Sequence, residues 1–382
     1  MEMIKYVALK INKLKNYFID WLYLFLRYFN TRKTSLKKAY SGKFLIGTAF
    51  NKSLRHKSQR KPYHLLHKHF NVVTIVGCLK PYVTHPSQDV FDFNEADGMV
   101  DWAEKHNMPI VGHYLVSSLF FPQWIYSDKD GNDVSREELI DRLRIYITTV
   151  VGRYKGRIHT WEAVHEVFNN DGIYLNSKFH SIIGEDFVRL SFDFARQADP
   201  DCELCYSDAI LSMEAKRNAV VEMVKKLQAQ GTKIDTIGMQ GHCHLGFPKI
   251  EEMEKSIIAF HELGCKISIT EMDLSVLPVY NPRVLNTATA LSPDYWQSLN
   301  PFSEGLPDKI AKMQAQKYKD LFALFIKHAD KIDRVTLWGI TDDTSAKNDF
   351  PVIGRTDYPL LFDRNYKAKP VVKDLIEMAL KA

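Results

Sequence analysis

From residue 40 onward the chain alternates short, nearly continuous apolar runs with longer stretches of helical period. The runs at 44–50, 72–77, 109–116, 158–166, 203–208, 236–242, 267–273 and 334–342 are rich in strand-forming residues. They lack the in–out alternation of a half-exposed sheet, as expected of parallel strands buried on both faces. Between them, 94–106, 137–154, 215–230 and 250–263 repeat apolar positions every three or four residues and predict helices. Strands separated by helices predict a (β/α)8 TIM barrel, an α/β fold, over residues 35–382. A doubly wound open sheet is the alternative, but no glycine-rich phosphate loop follows the first strand. The Pro- and Asn-containing stretch 277–305, between the seventh and eighth strands, predicts a long loop at the active face.

A different pattern precedes the barrel. Ile4, Val7, Ile11, Leu14, Phe18, Trp21, Phe25 and Tyr28 recur at spacings of three and four, with Lys5, Lys10, Lys13 and Lys15 largely on the other positions. This predicts an N-terminal amphipathic helix within residues 1–34. Its basic region is long, Asp20 interrupts the apolar stretch and no small-x-small cleavage site follows, so it reads poorly as a cleavable signal peptide. The helix is expected to pack on the barrel or on a second copy of the chain, with attachment to a membrane surface through residues 1–31 as the alternative. Cytoplasmic or membrane-associated placement is expected ahead of free secretion.

Charge adds little for the barrel itself. The chain of 382 residues has a formal charge of +5, but nine Lys and Arg against Glu2 and Asp20 fall within residues 1–38. That segment carries about +7 and the remainder about −2, so no nucleic-acid partner is expected. Cys78, Cys202, Cys205, Cys243 and Cys265 are scattered and odd in number, which reads as core thiols.

Chemistry in a barrel belongs at the C-terminal ends of the strands, and polar residues collect there. Lys80 follows the second strand, His113 lies on the third, and His165 and Glu166 end the fourth. Ser207 and Asp208 end the fifth, Gln240, His242 and His244 the sixth, and Glu271 and Asp273 the seventh. Trp338, Asp342 and Asp343 belong to the eighth. Each alone could be a helix cap or turn former. No H-E-x-x-H motif supports a metal enzyme and no G-x-S-x-G turn a serine nucleophile, so neither metal nor cofactor is expected. Glu166 and Glu271 can face one glycosidic bond across the mouth, as glycoside hydrolysis requires.

At these residues the chain resembles glycoside hydrolase family 10, the xylanase family. "TIGMQGHCHLG", "ISITEMDL", "RVTLWGITD" and "PLLFDRNYKAKP" match the family's ordered motifs, and "TWEAVHEVF" stands at its acid/base strand. The resemblance implies a retaining mechanism with Glu271 as nucleophile and Glu166 as acid/base. It implies that His242, with Asp273 in support, orients the nucleophile. Lys80, His113 and Gln240 would contact the sugar, and Trp338 would form the floor beneath it.

Several positions depart from the family. His165 stands where the family has Asn before the acid/base. Val76 and Gly77 replace a Glu and an Asn, Ser117-Ser118 replaces Trp-His, "YSD" replaces "YND", and Ala346 replaces a Trp. Each lost hydrogen-bond partner weakens sugar binding by about 1–3 kcal/mol. The expectation is therefore a β-glycosidase of altered specificity, exo-acting or acting on aryl or short β-glycosides, for example of a rhamno-configured, deoxy or modified sugar. His165 would serve the altered sugar, and a neutral imidazole is expected so that the acid role of Glu166 survives. An endo-1,4-β-xylanase and a non-catalytic carbohydrate-binding barrel are the alternatives.

Overall fold

The computed structural model describes residues 35–55, 60–118, 120–279 and 293–382. The helix expected over residues 1–31 and the middle of the expected loop 277–305 lie outside these residues. Among the described residues no helix is long and apolar enough to cross a membrane.

Among the described residues ten strands form the sheet: β1 (Leu45–Phe50), β2 (Val72–Ile75), β3 (Ile110–Gly112), β4 (Val116–Ser117), β5 (Thr160–His165), β6 (Glu203–Asp208), β7 (Thr236–Met239), β8 (His242–His244), β9 (Lys266–Ser275) and β10 (Ile332–Leu337). All pairs are parallel. The order runs β10-β1-β2-β3-β5-β6-β7-β9, and β10 also pairs with β9, which closes the ring into an eight-stranded barrel. The short β4 adds to β5 and the short β8 to β9. The apolar runs are buried as their composition demands: every residue of β2 and of β5 is inaccessible to solvent or nearly so. The five cysteines are buried too.

The helices show why they form where they do. In Arg136–Arg153, Ser135 caps the first turn by accepting from the Glu138 N–H at 3.2 Å, and the S-x-x-E spacing places two acidic residues at the positive end of the helix dipole. Leu139, Leu143, Tyr146, Ile147, Val150 and Val151 make one buried face. Asn94–Lys105, Glu214–Ala229 and Ile250–His261 agree with the periodicity to within two residues.

Two predicted strands are split. The third breaks after Gly112, so that His113 leaves the ladder before Val116 rejoins it beside β5. The Gly112 position also admits no side chain, since a Cβ there would lie 2.3 Å from the Trp161 ring. The sixth breaks at Gly241, whose φ of 80° turns the chain between β7 and β8 and whose missing Cβ leaves room for Ile269. The eighth strand ends at Leu337, five residues before the predicted end, and the chain turns at Gly339, φ 138°, ahead of a short 3-10 turn at Asp342. These irregularities fall at one end of the barrel, where the polar residues gather.

Candidate active site

Backbone pairing sets the two acids. The Glu166 N–H donates to Ser207 O at 2.9 Å, and the Glu271 N–H donates to Gln240 O at 2.7 Å. Glu166 is the residue after β5 and has φ 54°, a left-handed conformation that a non-glycine residue adopts at a cost. Glu271 lies inside the long strand β9. Its side chain is 5% exposed, whereas that of Glu166 is 25% exposed.

Around Glu271 the partners form a chain. His242 Nε2 stands 3.3 Å from Glu271 Oε2, and its Nδ1 donates to Asp273 Oδ2 at 2.8 Å. Lys347 Nζ lies 3.7 Å from the other Asp273 oxygen. Burial lowers the pKa of His242, but the Asp273 charge and the hydrogen bonds to Asp273 and Glu271 outweigh burial and Lys347, raising it to about 9. A charged His242 donates from both ring nitrogens and holds the Glu271 carboxylate in place.

Around Glu166 the arrangement is denser. Gln240 Nε2 donates to Glu166 Oε1 at 2.8 Å and approaches His165 Nε2 at 3.3 Å. That same His165 nitrogen is 3.6 Å from Glu166 Oε1 and 3.9 Å from Glu271 Oε1. One nitrogen thus bounds the separation of the two carboxylates, which can stand no further apart than the sum of those distances. His165 Nδ1 lies 3.3 Å from Glu162 Oε2, which also accepts from His113 Nδ1 at 3.0 Å. The Tyr114 ring stacks on His165 with centroids 4.7 Å apart.

This surrounding corrects the expectation of a neutral His165. Burial alone would lower its pKa, but Glu162, Glu271 and Glu166 on three sides raise it to about 9. Burial also works to raise the Glu166 pKa. The His165 charge and the Gln240 hydrogen bond, joined by Lys216 and His242, prevail and hold that carboxyl below the usual range. Glu162, fully buried, is kept ionised against its burial by His113 and His165.

The other sugar-facing residues close the cleft. Trp338 stands edge-on to His113, with ring centroids 5.1 Å apart, and 6.5 Å from His242. Lys80 Nζ lies over the rings of Tyr114 and Phe120, at 5.3 and 5.7 Å. Burial lowers its pKa against the pull of Glu271, Glu166 and Glu162. Lys80, His113, His165, Glu166, Gln240, His242, Glu271, Asp273 and Trp338 therefore share one cleft. Asp208 is spent on structure instead, taking Lys216 Nζ at 2.6 Å and the Tyr206 hydroxyl at 2.5 Å. Asp342 is likewise held by Lys369, and His244 Nδ1 accepts from the Gly246 N–H away from the acids.

Paired carboxylates at the C-terminal rim of a closed barrel are what a glycosidase needs, and residues 35–378 match the model of glycosyl hydrolase family 10. The chain belongs to this family. An endo-1,4-beta-xylanase A of Xylanibacter ruminicola is 43% identical over 90% of this chain and 93% of its own length. A beta-1,4-xylanase of Dictyoglomus thermophilum is 35% identical over 90% of each chain. Among solved structures, a family 10 endoxylanase from a sugarcane soil metagenome superposes with a TM-score of 0.83 at 37% identity, over 91% of this chain and 99% of its own. A mutant protein in complex with xylotriose superposes at 0.79 with 32% identity, over 90% and 99%. The chain is a glycoside hydrolase of family 10.

Three residues of this family 10 site escaped the sequence reading. Glu162 carried a usable signal, a carboxylate in the middle of an otherwise apolar barrel strand, which is costly unless paired. Tyr114 beside His113 was visible only as one more aromatic. Lys347 gave no signal, since its approach to Asp273 depends on how the loop after β10 folds back.

Proposed function

We propose that the protein is a retaining endo-1,4-β-xylanase. The observation that carries this reading is the placement of Glu166 and Glu271 within 4 Å of one nitrogen, with only Glu271 clamped by a His–Asp pair. Retention needs carboxyl groups about 5–5.5 Å apart and inversion about 6.5–9.5 Å; the shared nitrogen excludes only the wider part of the inverting range, and retention itself rests on membership of family 10. Glu271, ionised and oriented by His242, attacks the anomeric carbon, and Glu166 protonates the departing oxygen. Water activated by Glu166 then hydrolyses the glycosyl-enzyme.

The ligand-free site holds Glu166 ionised, so its proton must arrive with substrate. A sugar chain filling the cleft displaces water from Glu166 and strengthens the burial that already opposes its charge. The carboxyl is then protonated in the complex that needs it.

Xylan as the substrate rests on the relatives, which bear xylanase names at up to 43% identity across nearly their full length. They weigh against the exo-acting, non-xylan specificity expected from the altered positions. Val76, Gly77, Ser117, Ser118 and Ala346 are read instead as weakening the grip on sugars beyond the cleavage point, whereas His165 stands at the cleavage point itself. Soluble xylan, xylo-oligosaccharides and aryl β-glycosides of xylose, glucose, mannose and rhamnose test this, with Glu271→Ala as control. Xylan should be depolymerised internally and faster per bond than any non-xylose glycoside is cleaved. Aryl rhamnoside or mannoside turnover exceeding xylan cleavage would overturn the reading.

A further inference from the structure

Beneath the acid/base, the nucleophile joins a buried cluster whose close gathering of ligand atoms the hydrolytic steps do not explain. Glu162 Oε2 sits 3.0 Å from His113 Nδ1 and 3.3 Å from His165 Nδ1. Glu271 Oε1 approaches the same two rings, at 4.0 Å from His113 Nδ1 and 3.9 Å from His165 Nε2. One donor atom from each of the four residues lies within 4.8 Å of all the others, and all four residues are buried. Two carboxylate oxygens in the group, Glu162 Oε1 and Glu271 Oε1, are inaccessible to solvent and accept no hydrogen bond. A buried carboxylate oxygen without a donor is costly, and a cation relieves that cost.

We propose that His113, Glu162, His165 and Glu271 form a binding site for a zinc-type transition-metal dication, and that its occupancy blocks hydrolysis. Tetrahedral Zn2+ with nitrogen and oxygen ligands at about 2.0–2.2 Å holds those atoms about 3.4 Å apart. With one nitrogen taken from His165, the four donor atoms lie within 4.8 Å of one another, wider than that spacing, so the side chains must draw together as the ion binds. Mixed imidazole and carboxylate donors favour zinc, copper or nickel over magnesium or calcium, which take all-oxygen shells. The donor that completes the set is His165, since an Asn in its place would remove a nitrogen ligand and leave three. Metal binding itself is independent of the xylanase reading; only the block on hydrolysis rests on Glu271 being the nucleophile.

Isothermal titration of the chelator-stripped full chain with zinc chloride tests the site directly, without reading activity. One Zn2+ should bind per chain. His165→Asn and, separately, Glu162→Gln should each weaken the affinity by at least about 100-fold, the upper range for disturbing a ligand's support. Circular dichroism confirms that each variant is folded. His106→Ala serves as control, because His106 and His67 form another ring pair, with centroids 4.9 Å apart, on the outer helices. No binding at millimolar zinc, unchanged affinity in folded His165→Asn, or loss of binding in His106→Ala would each overturn the assignment.

Discussion

The two halves of the cleft are built on different plans. On the β9 side, Glu271, His242 and Asp273 form a short relay in which each group has a dedicated partner at 2.8–3.3 Å. On the β5 side, Glu166 shares Gln240 with His165, and His165 shares Glu162 with His113. The first plan fixes one carboxylate in one orientation. The second spreads charge over several coupled groups, so the state of Glu166 depends on whatever fills the cleft. Catalysis asks for that difference: a nucleophile must stay ionised, whereas an acid/base must gain and lose a proton in each cycle.

The comparison can be broken most forcefully at the nucleophile. Glu271→Ala should lower kcat on xylan by at least about 10⁴-fold, as loss of a covalent nucleophile does. Glu166→Ala should cost about 10²–10⁴-fold on xylan and far less on aryl glycosides with acidic phenols, which leave without protonation. Steady-state kinetics on both substrates separate the two residues, and equal losses on both would blur the assigned roles. Asp273→Asn should remove the charge that raises His242, costing about 2 kcal/mol of transition-state stabilisation, or about 30-fold in kcat/KM.

The smallest expected effect sharpens the contrast most. His165→Asn deletes a positive charge that holds the Glu166 pKa down, so that pKa should rise. Activity needs Glu166 protonated, and the alkaline limb of the kcat/KM profile should therefore move to higher pH. A limb that stays in place, or moves to lower pH, would show that His165 is uncharged beside Glu166.

Sequence alone could reach some of this and not the rest, for physical reasons. The strands were legible because both faces of a barrel strand are apolar, and Glu166, Gln240, His242 and Glu271 because strand ends must meet at one rim. Asp208 stood out equally at a strand end, yet Lys216, on a helix turn beyond, consumes it. Glu162 and His113 meet because β3 and β5 are neighbours in the barrel, although they lie 49 residues apart in sequence. The charge of His165 depends on three carboxylates brought together from two strands, so a neutral imidazole was a reasonable expectation until the register was known. The breaks at Gly112 and Gly241 are tertiary in origin: Trp161 and Ile269 occupy the space that a side chain would need.

The account turns on Glu166 and Glu271 acting as a retaining pair on a β-xylosidic bond. Proton NMR during the first minutes of xylo-oligosaccharide hydrolysis tests it most directly, by reading the anomeric signal of the new reducing end before mutarotation. The β-anomer should form first and convert slowly to the equilibrium mixture. First appearance of the α-anomer would contradict the pairing.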